Sequence, residues 1–174
     1  NNGVISEFEP IEFTSNIQNL SIEQFNLHKL SGHHRLFLST AGTKMASDWL
    51  VNDKTPLTSQ HNYEKGFLKG DISLANVALA DIADRLPLPS NLIAKGEISS
   101  QVTYRLDLAN VTLSAQLQGK LIKGKGHYND IRFTDASAQW QCSWQQQKLT
   151  CRDNVIHIKS ISAGFDINHM MIEY

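Results

Sequence analysis

Between Ile98 and Leu121 apolar and polar residues alternate with a period of two, broken once in the middle. In "ISSQVTYRLDL" the residues Ile98, Val102, Tyr104, Leu106 and Leu108 share one parity, the pattern of a strand with a single apolar face. After Ala109-Asn110 the alternation resumes on the other parity, with Val111, Leu113, Ala115, Leu117 and Leu121 apolar against Thr112, Ser114, Gln116, Gln118 and Lys120. A turn or bulge at Ala109-Asn110 would bring both sets back to the same side of a sheet. The stretch "GFLKGDISLANVAL" behaves alike: Leu68, Ile72 and Leu74 give way to Val77 and Leu79, again across an Ala-Asn. Near the C-terminus Ile161, Ala163, Phe165, Ile167 and Met171 share a parity, and residues 5–13, 17–30, 35–40 and 131–144 are less regular strand candidates.

Helix signals are few. "ADIADRLP", residues 80–87, can make one or two turns before Pro87 stops them, and residues 43–51, "TKMASDWLV", form a weaker candidate. The expectation is an all-β, mainly antiparallel chain of about nine to eleven strands, given the usual strand length of roughly 5 to 6 residues. Glycines such as Gly124 and Gly126 fall inside alternating segments, where they mark turns, bulges or kinks. "LANVAL" at 74–79 recurs as "LANVTL" at 108–113, each after a Gly-led strand, which would suit a stacked hairpin-like repeat. Alternation by itself allows two arrangements: an extended, twisted, groove-like sheet, or a closed sandwich or barrel whose apolar face is a filled core.

Composition narrows the classes. The net charge is −1 and the 16 Lys and Arg are scattered, which removes the basic face that nucleic-acid binding requires. No run approaches the roughly 18 apolar residues of a membrane-spanning helix. The first residues, "NNGVISEFEP", carry neither an initiator Met nor an apolar leader, so residues 1–174 are read as one β-rich domain, a mature form or a fragment of a longer chain.

The two cysteines sit in "WQCSWQQQKLTC". A turn at Gln146-Gln147 sets Trp144 opposite Leu149 and Cys142 opposite Cys151 on one side of a hairpin, close enough for a cross-strand disulfide. Such a bond stabilises by somewhat under about 3 kcal/mol and belongs to an oxidising compartment such as the periplasm. Catalytic signatures are lacking: there is no G-x-S-x-G elbow, H-E-x-x-H pair or P-loop, and "GKLIKGKGHY" lacks the following helix a phosphate cradle needs. His28, His33, His34 and His61 could assemble a zinc or copper site, but His33 and His34 point to opposite faces of a regular strand, which favours solvated turn residues around Gly32. No enzyme, metal or cofactor is expected.

The stretch 79–99, of the form L-A-D-I-A-D-R-L-P-L-P-x-N-L-x-A-x-G-x-I-S, resembles the repeated unit of the bacterial AsmA-like proteins, most closely the YdbH type; the resemblance covers residues 66–133. It implies a section of a long β-sheet groove, apolar inside and polar outside, in a chain anchored in the inner membrane that conducts phospholipid across the periplasm. On that reading acyl chains lie against Leu68, Ile72, Leu74, Ile98, Val102, Tyr104, Leu106, Leu108, Val111, Leu113, Leu117 and Leu121. The partners would be phospholipid, the rest of the parent chain and outer-membrane-associated proteins, and the isolated section should self-associate through its open edges. The rival expectation is a secreted all-β module with a closed core that binds a protein or glycan through its loops.

Overall fold

The computed structural model describes the backbone of residues 9–22, 25–40, 42–82 and 91–173, and their side chains except those of 20–22, 25–28 and 82. Ten strands form: β1 (Ile11–Ile22), β2 (Phe25–Ser39), β3 (Gly42–Val51), β4 (Thr55–Glu64), β5 (Phe67–Ala78), β6 (Leu92–Asp107), β7 (Thr112–Tyr128), β8 (Ile131–Gln145), β9 (Lys148–Ser162) and β10 (Asp166–Glu173). They make one all-β sheet in the order of the chain, β1 to β10, and because β1 and β10 each have a single neighbour the sheet is not closed. The closed sandwich or barrel is therefore not what forms. One helix is present among the described residues, α1 (Leu79–Ile82), four residues long. It covers the start of the helix expected over 80–87; the remainder lies outside the described residues.

The other helical expectation is overturned. Residues 43–51 lie in β3, paired along their whole length with both neighbours, from Thr43↔Leu38 to Val51↔Leu30 on one side and Thr43↔Tyr63 to Val51↔Thr55 on the other. Met45, Trp49 and Val51 share one parity of β3, and two ladders of hydrogen bonds outweigh a weak local preference for helix. The C-terminal alternation is also not one strand: Ala163–Phe165 form a bend with Gly164 at φ +80°, and Ile161 faces Ile167 across it.

The parity switches have two different causes. At Asn76 the backbone turns left-handed (φ 50°) inside β5, which moves the apolar positions from Leu74 to Val77, 4% exposed, still in the strand, and on to Leu79, 7% exposed, at the start of α1. Asn tolerates that conformation better than most residues because its short amide bonds locally. At Leu108–Val111, by contrast, the chain reverses between β6 and β7. The Asp107 carboxylate holds this turn by accepting from the Ala109 and Asn110 backbone N–H groups (2.9 and 3.2 Å) and from Asn110 Nδ2 (2.8 Å). Those bonds, led by the Asn110 side chain, pull the Asp107 carboxyl below its ordinary range. The two copies of "LAN" thus do different things, a kink in mid-strand and a hairpin turn, and do not form a structural repeat.

Contacts cluster into two compact units, Asn1–Ile72 with Thr103–Leu113, and Ser73–Val102 with Ser114–Tyr174. In the first, registers such as Phe13↔His34, His34↔Ser47 and Ser47↔Ser59 put Phe13, Leu36, Met45, Trp49, Val51 and Leu57 on one face. The other face carries Glu12, His33, Arg35 and Asp48, with His33 Nε2 3.9 Å from Glu12 and an ion pair Arg35–Asp48 (3.2 Å) whose exposure makes it worth at most about 1 kcal/mol. In the second unit Leu117↔Cys142↔Cys151 and Leu121↔Ala138↔Ile156 continue into Ile172 on β10, while Gln116, Gln118 and Lys120 point the other way. The disulfide closes as the hairpin geometry requires: Gln146 and Gln147 both have positive φ (49° and 62°), and Cys142 is bonded to Cys151.

Candidate functional site

Each unit carries a sheet face that gathers its apolar residues, and all ten strands belong to one sheet. Among the described residues no side chain falls below 2% exposure, and large apolar groups remain open on that face: Phe13 at 43%, Leu113 at 45% and Trp144 at 37%. An apolar surface larger than a few hundred Å² is uncommon on a soluble protein unless something binds it.

The structure places the twelve sequence-derived positions as follows. On β5, Leu68 and Ile72 share the parity of Gly70, whose missing Cβ points at His61 and Tyr104 of the first unit, and Leu74 keeps that parity up to the Asn76 kink. On β6, Tyr104 and Leu106 lie in the first unit and Ile98 and Val102 in the second, all of one parity and all half-buried. On β7, Leu117 and Leu121 are half-buried between exposed Gln116, Gln118 and Lys120, and Leu113 holds the same parity at the strand's open end. Leu108 and Val111 depart from the set: both lie in the β6–β7 turn, 47% and 81% exposed. Pairing adds residues that the irregular alternation of β8 and β9 concealed, chiefly Trp140, Trp144, Ile156 and Ile158. The indole of Trp140 lies where a Gly119 side chain would stand, so the glycine is the seat of the ring.

A row of polar groups crosses the apolar face of the first unit. His34, 2% exposed, bonds Ser15 Oγ through Nε2 and Ser47 Oγ through Nδ1, both at 2.8 Å. Its ring packs on Phe13 (centroids 4.7 Å apart) and against the edge of Trp49 (4.6 Å), over Gly32, where a Cβ would come within 2.7 Å of both rings. Trp49 Nε1 donates to Ser59 Oγ (2.8 Å), Ser59 Oγ bonds His61 Nε2 (2.9 Å), and His61 Nδ1 bonds Tyr104 Oη (2.7 Å). The last bond spans β5 because Gly70 leaves the space above it empty. The sequence traces of this row are His34 at an apolar parity position between Leu30 and Leu36, His61 among the histidines, and Tyr104 in the alternation of 98–108; the serine partners carry no pattern of their own.

The described histidines of the candidate metal set do not converge on one point. His34 and His61 have both ring nitrogens engaged by hydroxyls, His33 is on the opposite face beside Glu12, and the side chain of His28 lies outside the described residues. Among the described residues no group of three or more His, Cys, Asp or Glu is placed to hold a metal ion.

Burial lowers the pKa of His34, assisted by the charge of His33, and burial alone lowers that of His61. Unfolded, both titrate near the ordinary value of about 6.5, so below it the unfolded chain takes up protons that the folded one resists. The stability these histidines contribute is therefore complete above pH 6.5 and lost as the pH falls below it. Thermal melts between pH 8 and 5 are expected to show a falling Tm, flattened in the His34→Gln and His61→Gln double variant; an unchanged slope would show that other groups govern it.

On the polar side of the second unit, Gln101, Gln118, Gln139, Gln141 and Lys120 line a hollow of about 480 Å³, with Gln118 Nε2 donating to Gln101 Oε1 (2.9 Å). The "GKLIKGKGHY" segment forms no cradle: Gly124 and Gly126 lie in β7 at register shifts, and Lys123 pairs with Glu97 at 2.7 Å. Compared with known proteins, the sequence matches no family model, no curated protein and no solved structure.

Proposed function

We propose that this chain is a non-enzymatic section of an AsmA-like, YdbH-type periplasmic protein whose apolar sheet face holds phospholipid acyl chains and helps conduct lipid between the inner and outer membranes. The observation that carries the reading is the amphipathic sheet: in each unit one face is apolar with large side chains partly open, the other charged or amide-rich. Each acyl CH₂ left in water costs about 0.8 kcal/mol, so a bare apolar sheet face is a natural resting place for a chain. The disulfide supports an oxidising compartment. The resemblance of residues 66–133 supplies the rest of the proposal: an inner-membrane anchor elsewhere in the parent chain, outer-membrane-associated partners, and self-association of the isolated section through its open edges.

The test is native mass spectrometry, with lipid extraction, of the protein purified from a bacterial periplasm under non-reducing conditions. Co-purifying phospholipid at a defined stoichiometry is the expected result. A clean apo mass would remove the acyl-chain reading, and the amide-lined hollow beside Gln118 would then make glycan binding by the polar side the leading alternative.

A further inference from the structure

The polar row on the apolar face has one hydrogen more than it can use. In the chain from Trp49 through Ser59 and His61 to Tyr104, the donors are the indole N–H, the Ser59 hydroxyl, one N–H of the neutral imidazole and the Tyr104 hydroxyl. Only three bonds link these four groups, so one hydroxyl hydrogen has no acceptor within the row. Where it falls depends on the imidazole tautomer.

With the proton on Nε2, Ser59 must accept from both the indole and the imidazole, and its own O–H is the surplus one. Ser59 is 4% exposed, and a buried donor without a partner is strongly disfavoured. With the proton on Nδ1, Ser59 donates to Nε2, His61 donates to Tyr104 Oη, and the surplus O–H is that of Tyr104. Tyr104 is half-buried on the apolar face, so its hydroxyl can reach a bound molecule. Burial and the nearby charge of Asp71 raise the pKa of this phenol, which keeps it a donor. Asp71 is on the other parity of β5 from Gly70, and its Oδ1 accepts from Thr103 Oγ1 at 2.6 Å.

We infer that Tyr104 donates its hydroxyl hydrogen to an ester carbonyl of the bound lipid, so that the face selects diacyl ester lipids over their ether counterparts. The inference rests on the acyl-chain reading above and adds a chemical preference to it. An apolar face alone would bind both lipids equally, because their chains are the same. Gly70 is part of the device: it lets His61 reach across β5 and fix the direction in which the Tyr104 hydroxyl points.

The experiment offers the protein an equimolar mixture of dioleoyl phosphatidylglycerol and its dioleyl ether analogue in detergent micelles and reads the bound lipids by native mass spectrometry. The expected result is an ester-to-ether ratio of about 3 to 10 in the wild type, the worth of one net hydrogen bond. In Tyr104→Phe the ratio falls to equality because ester loading drops to the level of the ether analogue. Equal loading in the wild type, or a preference that survives in Tyr104→Phe, overturns the inference and leaves acyl-chain binding standing. Loading with neither lipid overturns both. A second readout needs no variant: ¹⁵N shifts of the His61 ring in the wild type should report the Nδ1–H tautomer, and an Nε2–H tautomer would place the surplus hydrogen on Ser59 and end the proposal.

Discussion

A protein carrying Val102→Asp and Leu113→Asp is expected to fold and to lose its capacity for phospholipid. Both positions belong to the apolar parity of their strands, Val102 half-buried on β6 and Leu113 45% exposed on β7. Neither is locked inside a packed core, so each replacement costs the fold about 1 kcal/mol or less, chiefly as the poor strand propensity of aspartate. For a bound acyl chain the cost is much larger. Every methylene displaced from contact forfeits about 0.8 kcal/mol, and the chain cannot replace the hydration of a carboxylate it covers. A loss of two methylene contacts at each site already weakens capture by roughly tenfold per substitution. Lipid phosphate extracted per mole of protein measures this, with a thermal melt to show folding and Gln116→Asp, on the opposite parity of β7, as the control. Unchanged capture by the folded double variant would sink the lipid-face reading.

Gly70→Val is expected to lower the melting temperature by about 6–12 °C, the size of effect that roughly 3 kcal/mol has in a chain of this length. A Cβ at this position meets Gln60 O at 2.6 Å, His61 Nδ1 at 2.7 Å and Tyr104 Cε1 at 2.9 Å. The side chains could rotate away, but the carbonyl oxygen belongs to the backbone of β4, and moving it disturbs the strand. Overpacking of this kind costs about 1–3 kcal/mol, and loss of the His61–Tyr104 bond adds about 1 kcal/mol. Gly66→Ala makes the contrast: nothing stands within 4 Å of its Cβ, and only the left-handed backbone (φ +82°) is penalised, by about 1–2 kcal/mol. A Gly70→Val protein as stable as Gly66→Ala would mean that the close approach over β5 is not maintained in solution.

The strands from Phe67 to Tyr128 were legible because one side of each is polar and the other apolar over many residues, and a period of two sustained that far fits a strand and no helix. The Cys142–Cys151 hairpin was legible for a different reason: two cysteines and two large apolar residues had to match across a short turn, which leaves few registers. What stayed hidden depends on pairing rather than on local pattern. Left-handed residues such as Lys123, Asp135, Asp153 and His169 interrupt β7 to β10 without a residue type that announces them, so the apolar positions of β8 and β9 drift out of phase. The strand at 43–51 was obscured by residues of fair helix propensity, and neighbours on both sides decided its conformation. The polar row was invisible because serine alternates with charged residues as readily on an apolar face as on a polar one, and only the registers of β1 to β4 bring Ser15, His34, Ser47 and Ser59 together.

The strictly sequential order of the strands bears on how the chain folds and how it can change. Each strand finds its partner in the segment just made, so every connection but the one between β5 and β6 is short and pairing can proceed by accretion from one end as the polypeptide emerges. A meander of this kind has no obligatory length: one hairpin more or fewer alters the terminal edge and leaves the register of every earlier pair untouched. Length becomes a quantity that duplication or deletion of about thirty residues can tune in steps of two strands of about 15 residues each, without asking the remainder of the sheet to be redesigned.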